Sequence, residues 1–193
     1  AEGSLGKVAE VVASRDAKTR EFFAQPGESE VGISPELPLY LSAFAGLIEE
    51  RGLAVDAGTG DGVLIDLLAP IYRRVVAMDR SAAVGNGADL VLAVRVLHHA
   101  PRPKAALEEL AALARPGGKV LVIDYARHED ERMSEQQADV WLGFSEEELR
   151  SFAEAAQLEN VVVTRAPTGF ARVGDDAHLP CLTLLGTRPK TSA

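Results

Sequence analysis

Val55-Asp56-Ala57-Gly58-Thr59-Gly60-Asp61-Gly62 is the stretch that decides how this chain folds. Leu53–Asp56 before it reads as a short apolar strand, and Val63–Leu68 after it as a helix. The glycines therefore fall at a strand-to-helix turn, where they allow a tight bend and let the backbone approach a ligand closely. A glycine-rich turn alone is weak evidence, because it could be mere punctuation. Here the spacing is G-x-G-x-G with an acid ahead of it, whereas the dinucleotide fingerprint is G-x-G-x-x-G and would need glycine where Val63 stands. A carboxylate at the strand end suits a ligand with a positive group, such as the ammonium of an amino acid, and repels a pyrophosphate. Asp79 ends the next apolar strand, 23 residues after Asp56. A carboxylate there can accept both hydroxyls of a ribose. The alternative is that it caps a helix with Ser81.

Outward from this turn, strands and helices alternate. Residues 5–23 read as a helix, and a breaker-rich segment runs from Pro26 to Pro38. Leu37, Tyr40, Leu41, Phe44, Leu47 and Ile48 share a helical stripe that Gly52 ends. Arg74–Asp79, Asp89–Val96 and Lys119–Tyr125 read as strands, Pro103–Arg115 as a helix closed by Pro116-Gly117-Gly118. Ser145 and Glu148 make a capping-box pattern for a helix through Ala156. Val161–Arg165 and Leu182–Thr187 are last strands with only a loop between them, so they can pair antiparallel. The early strands are continuous apolar runs, as in strands buried on both faces. The expected fold is α/β, a Rossmann-like, doubly wound, mostly parallel sheet with an antiparallel last strand, in three α/β/α layers. Residues 1–35 would be a helical segment or linker, and 36–193 the main domain.

Composition narrows the function. With 193 residues, 47% hydrophobic and 25% charged, the chain has ordinary globular usage. Its 20 basic and 29 acidic residues give a net charge of −9, which argues against direct nucleic-acid binding. Cys181 is the sole cysteine, so there is neither an internal disulfide nor a multi-cysteine metal site. No apolar run has the roughly 20 residues that span a bilayer, and the N-terminus lacks a signal-peptide core. A cytoplasmic protein without membrane contact is the expectation.

VDAGTGDG, VVAMD, ADLVLAVRVLHH and LARPGGKVLVID, in that order, resemble class I S-adenosylmethionine (SAM)-dependent methyltransferases. The likeness is strongest to the ubiquinone/menaquinone-type small-molecule branch. Residues 128–160 look like the group fused to ArsR-type winged-helix domains. The resemblance implies SAM as cofactor, S-adenosylhomocysteine as product and a small molecule as acceptor. It implies that Asp56, Ala57, Gly58, Thr59, Gly60 and Gly62 hold the methionine part and ribose, and that Asp79 takes the ribose diol. It also sets Arg80, and Ala93 and Val94 at the third strand's end, beside the cofactor. Nine residues separate Asp79 from Asp89, where the family places a helix, an edge strand and a further helix. A parallel crossover normally needs a dozen or more. The expectation is a segment missing near Val84/Gly85, with Gln25–Glu30 a second candidate, and no adenine contact is assignable.

In open α/β sheets, ligands sit beyond the carboxyl ends of the strands. His98 and His99 are the candidate catalytic bases there, against the alternative that one of them packs on the following helix. Arg95 either orients an acidic acceptor or the SAM carboxylate, or forms a surface ion pair. Asp124, with Tyr125, supports a histidine or binds the acceptor, unless Asp124 is a solvated loop acid. Tyr40 belongs to an apolar stripe, which favours core packing over a place lining the acceptor site. Trp141 and Phe144 read as a hydrophobic lid or staple. No metal site is expected, because adjacent histidines rarely point the same way and no third ligand is apparent. Two other functions remain open. One is a SAM-responsive regulatory module with little turnover; the other is a nicotinamide-dependent oxidoreductase, against which the Gly spacing speaks. An exposed sheet edge would permit a homodimer.

Overall fold

In the computed structural model, which describes residues 37–60, 62–78, 86–133, 139–166 and 176–190, the apolar runs become strands of one sheet. They are β1 (Leu53–Ala57), β2 (Arg74–Met78), β3 (Ala88–Val94), β4 (Ala114–Tyr125), β5 (Glu159–Arg165) and β6 (Cys181–Thr187). The sheet order is β2-β1-β3-β4-β6-β5. β2, β1, β3 and β4 are mutually parallel, and β6 runs antiparallel to both β4 and β5. This is the doubly wound, mostly parallel arrangement with an antiparallel end that the sequence predicts. All of these residues fall within the compact unit Pro35–Ala193.

Side chains that alternate along a strand sort to opposite faces of the sheet. Val55, Val91, Ala93, Val120 and Val122 join one buried cluster with Leu107, Leu110, Leu149 and Ala153. Those last four lie on helices α3 (Pro103–Leu113) and α4 (Glu146–Ala155). Ala54 and Leu92 join a smaller cluster on the other face with Leu68, which Leu64 flanks. Both leucines belong to α2 (Val63–Leu68). Helices therefore cover both faces, and the central strands are shielded on both sides.

Local signals are realised closely. Ser145 caps α4: its Oγ accepts from Glu148 N at 3.2 Å, and Glu148 Oε2 accepts from Ser145 N at 2.8 Å. This satisfies two donors that a bare helix end would leave open. Gly58, Gly60 and Gly62 all have positive φ, of 76°, 55° and 81°, a region that favours glycine. At Gly58 a Cβ would also meet Val96 Cγ2 at 2.5 Å.

The predicted helix from Leu37 departs from expectation in two ways. It ends early, as α1 (Leu37–Ala45). Its stripe is also not core: Tyr40 is 49% exposed, Phe44 64% and Leu47 81%. Periodicity finds an apolar face but does not say what covers it. β4 starts sooner than predicted, since the chain turns extended at Ala114. The helix read over 5–23, the segment 25–30, Asp79, Arg80 and the junction Val84/Gly85 lie outside the described residues.

Candidate active site

Parallel pairing brings four strand ends to one edge. Asp56 stands opposite Ala77 and Leu92, and Val94 opposite Ile123. Asp56, Arg95, His98, His99, Asp124 and Tyr125 therefore gather where the topology predicts a crevice.

Asp56 is wholly buried, and neither carboxylate oxygen has a hydrogen-bond partner among the described residues. Burial pushes its pKa up, with Thr59 opposing the shift. The Thr59 hydroxyl also donates to the Asp56 carbonyl at 3.2 Å. Gly58 N–H donates to the Met78 carbonyl at 2.8 Å, which ties the turn to the end of β2. Around the Cβ position of Gly60, its chain neighbours aside, no atom of the described residues lies within 4 Å. Among the described residues the turn thus offers an open approach to backbone and a buried carboxylate whose oxygens accept no hydrogen bond, and it fits a ligand carrying an ammonium group.

The second part of the site is polar and closed. Asp124 is fully buried rather than a solvated loop acid. Its Oδ2 accepts from Leu97 N at 2.9 Å, and its Oδ1 from Tyr125 N at 2.8 Å. His98 Nδ1 lies 2.7 Å from the same Oδ1, and because a carboxylate only accepts, Nδ1–H is the donor. His98 is itself buried, in a short 3₁₀ turn, Leu97–His99. Its carbonyl accepts from Val140 N and Trp141 N, both at 3.0 Å. That pair of bonds draws the segment around Asp139 over the histidines. The His99 side chain is 41% exposed, so of the two it is the one open to solvent.

Arg95 has φ 55°, an unusual backbone for a side chain other than glycine. It is held by Arg95 N–H donating to the Ile123 carbonyl at 2.7 Å. Its Nη1 donates to Asp176 Oδ2 at 2.8 Å, and Tyr125 Oη donates to the same oxygen at 2.7 Å. Burial, and then the Asp176 carboxylate, push the Tyr125 phenol well above its ordinary pKa. Tyr125 also packs against the rings of His98 and His128, with centroids 4.7 and 5.9 Å away.

Trp141 and Phe144 divide between two roles. Trp141 Nε1 donates to the Ala100 carbonyl at 2.9 Å, and its ring is partly exposed. Phe144 is core and meets Phe152 edge-on at 5.7 Å. Tyr40 is half-exposed on α1, as described. Asp139 and Asp176 were not foreseen from sequence. A carboxylate the sequence did not point to stands beside the histidines: Asp139 Oδ1 is 3.4 Å from His98 Nε2 and 3.6 Å from His99 Nδ1.

A family model described as a methyltransferase domain matches residues 34–165. The chain belongs to that methyltransferase-domain family. Solved structures share the fold at low identity. A 1,6-didemethyltoxoflavin-N1-methyltransferase of Burkholderia thailandensis, solved with 1,6-didemethyltoxoflavin and S-adenosylhomocysteine bound, is 17% identical, with TM-score 0.55; the match covers 95% of this chain and 90% of that one. A phosphoethanolamine N-methyltransferase of Haemonchus contortus, solved with phosphomonomethylethanolamine and S-adenosylhomocysteine, is 13% identical, with TM-score 0.58, over 79% of this chain and 52% of that one. A SAM-dependent methyltransferase of Thermotoga maritima is 20% identical, with TM-score 0.51, over 78% and 89%. No curated protein matches.

Proposed function

We propose that the chain transfers a methyl group from SAM to a small-molecule acceptor, as the ubiquinone/menaquinone-type members do. The observation that carries this is the buried Asp56 carboxylate beneath a turn of three left-handed glycines. Asp56–Gly62 would hold the amino-acid part and the ribose, with Asp79 on the ribose diol and Arg80, Ala93 and Val94 alongside. SAM supplies an electrophilic methyl on a sulfonium, so positioning does most of the catalysis.

The chain's own residues then orient the acceptor and take its proton. Asp124 fixes the tautomer and direction of His98. His99, open to solvent, is placed to receive a proton from an acceptor. Arg95 and Tyr125, joined through Asp176, form a polar wall for the acceptor's own groups. The net negative charge and this compact polar wall favour a small acceptor over a nucleic acid. The test is product formation with labelled SAM across a panel of small hydroxy and amino acceptors, repeated with Asp56→Ala and His99→Ala. Transfer lost in both variants supports the reading. Transfer untouched by Asp56→Ala overturns the assignment of the loop.

A further inference from the structure

His98, His99 and Asp139 each offer one donor atom, and these atoms lie within 4.8 Å of one another. Two imidazole nitrogens and a carboxylate oxygen suit a borderline divalent cation such as Zn²⁺. Asp139 Oδ1 is the shared vertex, 3.4 Å from His98 Nε2 and 3.6 Å from His99 Nδ1. A direct charged hydrogen bond would be shorter, about 2.7–2.9 Å. Metal bonds of about 2.0–2.1 Å in a tetrahedron set ligand atoms roughly 3.3 Å apart. The two separations from Asp139 Oδ1 are close to that edge, and all three donor atoms lie within 4.8 Å of one another.

Asp124 is an independent second observation. It commits His98 Nδ1–H at 2.7 Å and so turns the Nε2 lone pair toward Asp139. A carboxylate behind the distal nitrogen is how metal-binding histidines are held. His98 and Asp139 are buried, whereas the His99 side chain is 41% exposed. Three protein ligands with one side toward solvent leave a coordination position open, as in catalytic rather than structural sites.

We propose that His98, His99 and Asp139 bind one divalent cation of the zinc class, with an open position that takes an oxygen of the acceptor. Binding of the ion is independent of the methyl-transfer reading; its use on an acceptor rests on that reading. In the loaded protein His99 is a ligand, and the ion, not His99, lowers the acceptor's pKa.

The test is titration of chelator-stripped protein with Co²⁺, read by visible absorption, and with Zn²⁺, read by calorimetry. One equivalent of ion with the intense bands of a four- or five-coordinate Co²⁺ centre is expected. His99→Ala, at an exposed side chain, is expected to retain the fold by thermal melting and to weaken binding by at least the roughly 10–100-fold that even outer partners of a site command. Asp139→Asn should act alike, and His178→Ala, which lies on a different carboxylate, should leave binding unchanged. No stoichiometric ion, or equal binding by folded His99→Ala, overturns the site. Titration of S-adenosylhomocysteine in parallel separates the outcomes: its binding without a Co²⁺ centre defeats this proposal alone, and a Co²⁺ centre without it defeats only the cofactor assignment.

Discussion

His98 Nδ1 and Asp124 Oδ1 stand 2.7 Å apart with both side chains closed off from solvent. Two backbone N–H groups, of Leu97 and Tyr125, hold the carboxylate from behind. The histidine is thereby fixed in one tautomer and one direction. Asp124→Asn keeps the shape but offers His98 an amide in place of a carboxylate. It should lower kcat by roughly 10–100-fold, the range for a carboxylate that orients a functional histidine, with KM for SAM little changed. Steady-state kinetics with a working acceptor checks this, and a loss confined to KM would contradict it.

Asp56 carries a cost in the ligand-free fold. Its folded pKa is raised by burial, so ionising it costs more in the fold than in the unfolded chain. Stability from this group is greatest in acid and declines as the pH rises from about 3.9, the ordinary Asp value, through the raised folded one. Asp56→Asn should therefore melt higher at neutral pH, by about 2–4 °C for each kcal/mol recovered, while losing cofactor affinity. The gain should shrink as the pH falls toward 4. Calorimetric melting at several pH values reads both.

Gly58 and Gly60 separate folding from binding. Alanine at Gly58 meets Val96 Cγ2 at 2.5 Å and keeps a positive φ, so Gly58→Ala should destabilise the fold by about 1–3 kcal/mol. Alanine at Gly60 meets, beyond its chain neighbours, no atom of the described residues within 4 Å. Gly60→Ala should cost about 1–2 kcal/mol of backbone strain and weaken cofactor binding beyond that, because its methyl fills the open approach. Melting temperature and calorimetric affinity, measured on both, distinguish the two effects.

His128 gives the fold a pH dependence of opposite sign to that of Asp56. Burial lowers its folded pKa, against the pull of Asp130 and Asp139 and with the push of His178 and His98. The unfolded chain then binds the proton more readily, so stability is present above about pH 6.5 and is lost as the pH falls through that value. His128→Gln should flatten the melting profile between pH 7.5 and about 5.5. An unchanged profile would contradict the assignment.

The sheet and the glycine turn after β1 were legible because both are local. Continuous apolar runs mark strands buried on two faces, and the Gly58, Gly60 and Gly62 spacing marks a turn that needs positive φ. Ser145 and Glu148 show the same thing for a helix start. α1 was not fully legible, because the stripe of Tyr40 and Phe44 shows an apolar face and leaves its cover unstated. Asp139 and Asp176 were invisible for another reason. Neither sits at a strand end or in a periodic segment, and each reaches His98 or Arg95 only through the folded chain. Asp124 lay between: its place at a strand end was evident, but its burial and its bond to His98 depend on β4 packing between β3 and β6.

The central claim is that the turn Asp56–Gly62 binds the methyl donor. Calorimetric titration of SAM, S-adenosylhomocysteine and NAD into the full chain, repeated with Asp56→Ala, tests it most directly. The account predicts binding of the first two, no heat with NAD, and loss of binding in the variant. A folded chain that binds neither SAM nor its demethylated product would contradict it.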